Sequence, residues 1–276
     1  MRVSLCNEVI VEMPLARQCE FAKSVGYDGL EIAPFTLSDE PHLLPPARRA
    51  ELRHAARNAG LAITSLHYLL RKPEGLSITT ADAGVRTHTI DVMRRLIDLA
   101  ADLGAGVLVH GSPAARKLAH GQEAEDRKRG IESFATIAPA AEAGGVVYCI
   151  EPLSSKETSF INKVAQAADI VRAIGSNAVR TMIDCSAAAQ METEPVADVI
   201  RQWVPTGLIG HIHFNDPNRR GPGEGSLAFA PILDALRDVG YSGDAAIEPF
   251  IYQPDGPACA ARGIGYIRGL MQAYAA

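Results

Sequence analysis

The sequence predicts a (β/α)8 TIM barrel, and three observations support this prediction. Short apolar segments typical of buried strands alternate with segments of helical spacing along the whole chain. Eight such pairs in 276 residues average roughly 35 residues each, which is the usual size of one barrel unit. A doubly wound open sheet, the alternative, more often has a glycine-rich phosphate turn after its first strand, whereas this chain has Cys6-Asn7-Glu8 there.

The predicted strands are short runs rich in Val, Ile and Leu, each bounded by glycine or polar residues. In chain order they span residues 2–7, 29–34, 61–67, 107–110, 146–151, 179–184, 207–213 and 245–248. No linker or low-complexity segment separates them, so we expect one domain covering residues 1–276.

The predicted helices have apolar residues every three or four positions, and most stop at a glycine. In chain order they span residues 14–25, 47–59, 81–103, 123–143, 162–174, 196–203, 227–239 and 259–274. The first five are followed at once by Gly26, Gly60, Gly104, Gly144 and Gly175. Glycine in this position ends a helix because it adopts left-handed backbone angles without strain.

Composition and charge are those of a globular enzyme. Hydrophobic residues make up 47% of the chain and charged residues 21%, enough to bury a large core. The net charge of −5 makes nucleic acid an unexpected partner. No apolar run approaches the roughly 18 residues of a membrane span, and the N-terminus has no signal-peptide pattern.

The cysteines indicate a reducing compartment. Their number is odd, they are widely spread and they form no Cys-x-x-Cys pair, which is typical of free thiols rather than disulfides or structural zinc sites. They are Cys6, Cys19, Cys149, Cys185 and Cys259. We therefore expect a cytoplasmic protein without a membrane partner, and leave a homo-oligomer open.

Every predicted strand ends in a polar or ionisable residue. These residues are Asn7, Glu31, His67, His110, Glu151, Asp184, His213 and Glu248. The carboxyl ends of the strands form the active-site face of a (β/α)8 barrel. Because buried charges need partners, we expect a cation or a substrate among them.

Four of these residues predict a metal site. Glu151 and Glu248 both lie in Ile-Glu-Pro, on strands that face one another across the barrel mouth, while Asp184 and His213 end the two strands between. Three carboxylates and one imidazole favour Mn²⁺, with Mg²⁺ or Co²⁺ as alternatives. The absence of a thiolate ligand disfavours zinc. Pairing of the carboxylates with rim arginines is the alternative interpretation.

The seventh strand carries two histidines on the same face, because successive side chains of a strand alternate. His213, at the strand end, is the predicted ligand, whereas His211 lies one pleat deeper and is predicted to pack or to support it. A glycine- and proline-rich loop with Arg219 follows. Alone, Arg219 is equally compatible with a solvent-facing pair with Glu224.

The chain resembles the xylose-isomerase-like barrel superfamily of sugar isomerases and epimerases, and within it the D-tagatose 3-epimerase/D-psicose 3-epimerase group. The motifs are Ile150-Glu151-Pro152-Leu153 with Glu157, Ile183-Asp184, His211-Ile212-His213 with Arg219 and Pro222-Gly223-Glu224-Gly225, and Ile247-Glu248-Pro249. The resemblance implies that Glu151, Asp184, His213 and Glu248 bind the metal. It also implies that Glu157 and Arg219 bind hydroxyls of a small sugar or polyol.

One position departs from this group. Its members usually carry Asp-x-x-His on the sixth strand, and here Ala187 stands where the histidine is expected. We predict that His67 or His110 contacts the substrate instead, unless the substrate and the reaction differ. Packing in the core is the alternative for both histidines.

These residues predict a metal-dependent isomerase or epimerase of a ketose or related polyhydroxy ketone. A divalent cation acidifies the C–H next to a carbonyl and stabilises the resulting enediolate. Glu151 and Glu248, besides binding the metal, are the expected acid/base pair that moves the proton.

Other functions stay open at this point. The same site supports a dehydratase or lyase acting on a keto-sugar or keto-inositol, or an aldose–ketose isomerase. The endonuclease IV family shares the barrel, and phosphodiester hydrolysis would use His67 and His110 as further ligands, but the acidic chain and Ala187 oppose it. A non-catalytic sugar-binding barrel is the third class.

Overall fold

Eight parallel strands close into a barrel in chain order, and the first strand pairs with the eighth. The computed structural model describes residues 1–273. The strands are β1 Arg2–Cys6, β2 Gly29–Ile32, β3 Ala62–Leu66, β4 Val107–His110, β5 Val147–Ile150, β6 Val179–Asp184, β7 Ile209–Phe214 and β8 Asp244–Ile247. The predicted (β/α)8 architecture is confirmed.

Helices surround this barrel and connect its strands. They are α1 Leu15–Val25, α2 Pro46–Asn58, α3 Ala83–Leu103, α4 Glu123–Gly144, α5 Val164–Ile174, α6 Cys185–Met191, α7 Val196–Trp203, α8 Phe229–Asp238 and α9 Gly256–Ala273. Gly104 and Gly175 end α3 and α5 with φ of 80° and 71°, as their place after a helical segment predicts.

The strands divide their side chains between two layers. Residues such as Leu108, Ile150 and Ile212 point outward and join the main core beneath the helices. Val107, Val109, Cys149 and Met182 form a separate small apolar cluster, as expected for side chains that fill the barrel interior. Side chains that continue these inward rows at the carboxyl ends therefore meet at the barrel mouth.

Helix α6 is the main difference from the predicted elements. It begins directly after β6, where the sequence analysis placed no helix, and its alanine-rich sequence favours a helix. Asp184 caps it, because the backbone N–H of Ala187 donates to Asp184 Oδ1 at 2.6 Å. The helix therefore begins at a predicted metal ligand.

Most other boundaries shift by one to three residues. Residues Asn7–Ile10 form a 3-10 turn, so β1 ends at Cys6. Helix α9 begins three residues before its predicted start, and its predicted last residue, Tyr274, lies outside the described residues.

All five cysteines are buried and free in the structure. Within residues 1–273, no helix combines the length and the apolar character needed to cross a membrane.

Candidate active site

Glu151, Asp184, His213 and Glu248 meet at the carboxyl ends of β5 to β8. Each offers a ligand atom within 4.8 Å of the others, and all four side chains are buried. The Nδ1 atom of His213 lies 3.1 Å from Glu248 Oε2 and 3.5 Å from Glu151 Oε1. The structure thus brings the four predicted ligands together.

A carboxylate on the opposite side of the barrel orients His213. Glu31, on β2, is completely buried, and its Oε1 lies 2.7 Å from His213 Nε2. A ligating histidine usually donates its other N–H to such a carboxylate, which leaves the first nitrogen free for a metal. Here this arrangement directs Nδ1 towards the three carboxylates.

Glu31 is held in turn by other side chains. Its Oε2 lies 2.7 Å from His211 Nε2, and Ser65 Oγ donates to the same oxygen. Burial raises the pKa of Glu31, but His213 and His211 outweigh it and hold the pKa well below its ordinary value. His211 thus reaches the site through Glu31, and support of His213, one of its two predicted roles, stays a prediction.

The four candidate ligands fit a divalent cation. Burial, together with the charges of Glu151 and Glu248, raises the pKa of Asp184 to about 8. The carboxylates of the cluster thus bring more negative charge together than the nearby histidines neutralise. The donors are three carboxylates and one nitrogen, a set that suits Mn²⁺, Mg²⁺ or Co²⁺. A cation would restore the charge balance.

The two carboxylates of the predicted acid/base pair have different surroundings. Burial raises the pKa of Glu151. Burial acts in the same direction on Glu248, but His213 and His67 outweigh it and lower the pKa to about 2. The surroundings thus shift the pKa values of the two carboxyl groups in opposite directions, as in many sites where two carboxylates have different catalytic roles.

His67 lies behind Glu248 and not in the substrate cavity. Its Nδ1 is 3.0 Å from Glu248 Oε1, and its Nε2 is 3.4 Å from Oε2 of Glu8. Burial lowers its pKa, but Glu8 and Glu248 outweigh this effect and raise the pKa to about 9. The predicted contact with substrate does not match this position, because His67 reaches the site through Glu248.

Asn215 joins two of the carboxylates and was not singled out from the sequence. Its Nδ2 donates to Asp184 Oδ2 at 2.5 Å and to Glu248 Oε2 at 3.2 Å. The backbone N–H of Ser186 donates to its Oδ1 at 2.9 Å. The signal available in the sequence was its position two residues after His213, on the same face of the strand.

The structure does not bring His110 to the site. His110 points away from the barrel interior, with Nδ1 2.7 Å from Tyr148 Oη and its ring edge-on to Phe134. Burial and the charge of Arg116 hold its pKa well below the ordinary value. This position favours the alternative of a core histidine.

Gly111 takes the inward position that follows β4. A Cβ atom placed there would lie 2.1 Å from Glu151 Oε2, closer than any side chain tolerates. The missing side chain therefore provides the room in which the Glu151 carboxylate lies.

A cavity of about 320 Å³ opens beside the cluster. This volume is within the usual range of small-molecule sites. Its lining includes Glu151, Asp184 and Glu248, together with Tyr68, Ser112, Leu153, Glu157, Ala187, Asn215 and Arg219. Both residues that the resemblance assigned to substrate hydroxyls, Glu157 and Arg219, thus lie in this cavity.

Backbone contacts fix the loop that carries Arg219. Arg219 has a φ of 68°, and its carbonyl oxygen accepts hydrogen bonds from Phe250 N at 2.9 Å and Ile251 N at 3.0 Å. Its guanidinium lies 5.1 Å from the ring centre of Phe250. Glu224 pairs with Arg262 at 2.7 Å, so the alternative pair of Arg219 with Glu224 is not formed.

Ala187 lines the cavity from α6. Its methyl group leaves space where the resemblance expects a histidine. Gln190, one turn further on, also lines the cavity and accepts from Lys156 Nζ at 3.5 Å. These two polar side chains lie on the side of the cavity that Ala187 leaves open.

Comparison with known protein families identifies the family of the chain. A model of the xylose isomerase-like TIM barrel matches residues 19–270. The chain belongs to the xylose isomerase-like TIM barrel family.

Several members of this family are similar over most of the chain. The D-psicose 3-epimerase of Enterocloster bolteae is 32% identical over 232 residues, which cover 83% of this chain and 75% of that protein. The D-psicose 3-epimerase of Agrobacterium fabrum is 28% identical over 235 residues, covering 84% and 78% of the two chains. These relatives identify the chain as an enzyme of the sugar isomerase and epimerase type.

The chain is also similar in fold to a solved structure. The crystal structure of a D-psicose 3-epimerase in the presence of D-fructose has a TM-score of 0.83 and covers 98% of this chain and 99% of its own. The sequence identity is 23%, so this likeness supports the barrel and its topology.

Proposed function

We propose that the protein is a divalent-metal-dependent ketose 3-epimerase. The observation that carries the proposal is the meeting of Glu151, Asp184, His213 and Glu248 within 4.8 Å. These donors border a cavity that also contains Glu157 and Arg219. A chain 32% identical to a D-psicose 3-epimerase supports the ketose as substrate class.

Glu151, Asp184, His213 and Glu248 would hold the cation, and their oxygen-rich set favours Mn²⁺, with Mg²⁺ or Co²⁺ as alternatives. When bound, the cation supplies a Lewis-acid charge that acidifies the C–H next to a carbonyl and offsets negative charge on the substrate. Glu31 keeps His213 Nδ1 directed at that position.

Glu151 and Glu248 would move the proton. They reach the cavity from β5 and β8, so a substrate between them presents one face to each. One carboxylate removes the proton from carbon 3, which leaves the substrate as an enediolate, and the other returns a proton to the opposite face. The configuration at that carbon is then inverted.

Two side chains would orient the sugar. Arg219 presents charged donors to a substrate oxygen, and its backbone bonds to the β8 loop hold it in place. Glu157, on the loop after β5, lies in the cavity and offers acceptors to a hydroxyl. Correct placement of the reacting carbon between the two carboxylates depends on these contacts.

The acid/base assignment is tested by replacing each carboxylate with an amide of the same shape. We expect E151Q and E248Q to lose about 10²- to 10⁴-fold in kcat, because general acid–base catalysis contributes about that much. Bound manganese is measured in parallel, and E125Q on the exposed face of α4 is the control. Full turnover by metal-loaded E151Q would show that Glu151 is not the acid or base.

The reaction itself is tested with Mn²⁺-loaded protein, D-fructose and D-psicose in D₂O. Proton NMR should show inversion and deuterium incorporation at carbon 3, and metal analysis should find near one ion per chain. Sugar binding without exchange would indicate a non-catalytic barrel. Three zinc ions per chain would favour phosphodiester hydrolysis.

A second candidate is a metal-dependent dehydratase or lyase of a keto-sugar or keto-inositol. The observation that favours it is Ala187, which removes the group that the resemblance places at the carbonyl end of the substrate. An ultraviolet-absorbing enone or diketone product would select this reaction over epimerisation.

A further inference from the structure

Arg116 is a buried cation without a hydrogen-bond partner. Its side chain is completely buried, and none of its three guanidinium nitrogens has a hydrogen-bond partner within residues 1–273. Removing such a charge from water opposes folding unless another group compensates it. An arginine retained in this state therefore indicates a use other than stability.

The backbone around Arg116 is firmly held. Arg116 ends the 3-10 turn Pro113–Arg116, which directly follows Gly111 and Ser112 of the cavity wall. Ile78 N donates to Ala115 O at 2.8 Å, and Thr79 Oγ1 donates to Lys117 O at 2.6 Å. Bonds on both sides of Arg116 thus fix the position from which its guanidinium acts.

The guanidinium lies in the field of two cavity carboxylates. Burial lowers its pKa to about 10, while Glu151 and Glu157 act in the opposite direction. Arg116 is consequently charged at neutral pH. Neither carboxylate forms an ion pair with it, because their oxygens lie beyond 4.0 Å.

Of these two carboxylates, Glu157 has the freedom to approach. Glu151 is buried among the candidate metal ligands, whereas Glu157 is exposed at the edge of the cavity. Within the described residues, the side-chain contact of Glu157 is one hydrogen bond, in which Ser154 Oγ donates to its Oε2 at 3.0 Å. The fixed cation is therefore part of the turn whose first residue, Pro113, lines the cavity, and the loosely held carboxylate lines the same cavity.

We propose that Arg116 is a positioning residue for Glu157. When a sugar enters, Glu157 turns inward and pairs with the buried guanidinium, and this pair fixes the carboxylate that accepts the substrate hydroxyl. A planar guanidinium and a carboxylate match in geometry, so the pair sets the orientation as well as the charge of Glu157. The inference rests on the proposed function, in which Glu157 contacts the substrate.

The test compares R116M, R116K, E157Q and the double variant R116M/E157Q, with K117M as the exposed neighbouring control. We expect R116M to raise KM roughly tenfold or more with a smaller change in kcat, the sign of a lost binding contact. R116K should show a smaller increase in KM, since lysine restores the positive charge but lacks the planar guanidinium group. The double variant should resemble E157Q, because both substitutions remove one interaction.

Thermal unfolding separates positioning from a structural role. R116M should keep or raise the Tm, because it replaces an uncompensated buried charge with an apolar side chain of similar length. Two results would overturn the proposal. One is a fall in Tm together with a decrease in kcat as large as the increase in KM. The other is additive effects of R116M and E157Q on KM.

Failure of the proposed function gives a different result. A wild-type protein that does not epimerise ketoses refutes that function. A wild type that epimerises them while R116M keeps the wild-type KM overturns the inference alone.

Discussion

Glu31 shows how a single residue away from the candidate cation shapes the site. It contacts His213, His211 and Ser65 and is completely buried. Its negative charge fixes which nitrogen of His213 faces the three carboxylates. We therefore expect metal binding at the candidate site to depend on a side chain that is not itself one of the four candidate ligands.

We predict that E31Q weakens Mn²⁺ binding by roughly 10- to 100-fold, the usual effect of removing such a partner. A glutamine side chain is neutral and has one oxygen, so it cannot place a carboxylate oxygen beside each of the two histidines as Glu31 does. Calorimetric titration with Mn²⁺ measures the effect, and E125Q is the control. Unchanged affinity would contradict the role assigned to Glu31.

At the scale of elements, the ends of β4 and β6 determine the shape of the site. Strand β4 is followed by Gly111, whose missing side chain leaves room for Glu151. Strand β6 passes directly into α6, which places Ala187 in the cavity wall and uses Asp184 as its cap. Short connections of this kind hold the carboxylates in place without long loops.

We predict that G111A lowers kcat/KM by about 10- to 100-fold, because small displacements of a catalytic group have effects of this size. The added methyl group would occupy the position of Glu151 Oε2. G106A, at the other end of β4, is the matched control, since a Cβ there meets open space. Equal activity of the two variants would show that Glu151 has room to move without loss.

At the scale of the whole molecule, barrel closure concentrates acidic groups at one mouth. Residues from β2 and from β5 to β8 place Glu31, Glu151, Asp184 and Glu248 around His213. In the metal-free protein burial, together with this excess of negative charge, raises the pKa of Asp184 from 3.8 to about 8. His67, beside Glu248, has its pKa raised from 6.5 to about 9.

We predict that the Tm of metal-free protein falls as the pH rises from 6.5 to 9. In this range, folded Asp184 and His67 hold protons that the unfolded chain has released, so stability decreases with pH. Mn²⁺ should raise the Tm more at the upper end, because its ligands must lose their protons.

The control for this pH dependence is D184N, which keeps a good helix cap for α6 but cannot titrate. Its metal-free Tm should vary less steeply with pH when both proteins are measured by calorimetry. A Tm of the wild type that rises over this range, or a D184N profile as steep as that of the wild type, would contradict the assignment.

The sequence alone predicted the order of the strands, every helix except α6, and four side chains of the candidate site. Apolar spacing and glycine stops are local signals, so they identified the eight strands and most helix ends. Glu151, Asp184, His213 and Glu248 were found because each lies at a strand end, and all strand ends of a parallel barrel meet at one face.

The tertiary structure decided which other polar side chains join them. The sequence left His110 open between substrate contact and core packing. Its outward direction at the end of β4 depends on the alternation of that strand within the closed barrel. The closed barrel brings Glu31 beside His213, and the packing of the loops buries Arg116. Local spacing carries no information about such contacts, since each joins residues far apart in the chain.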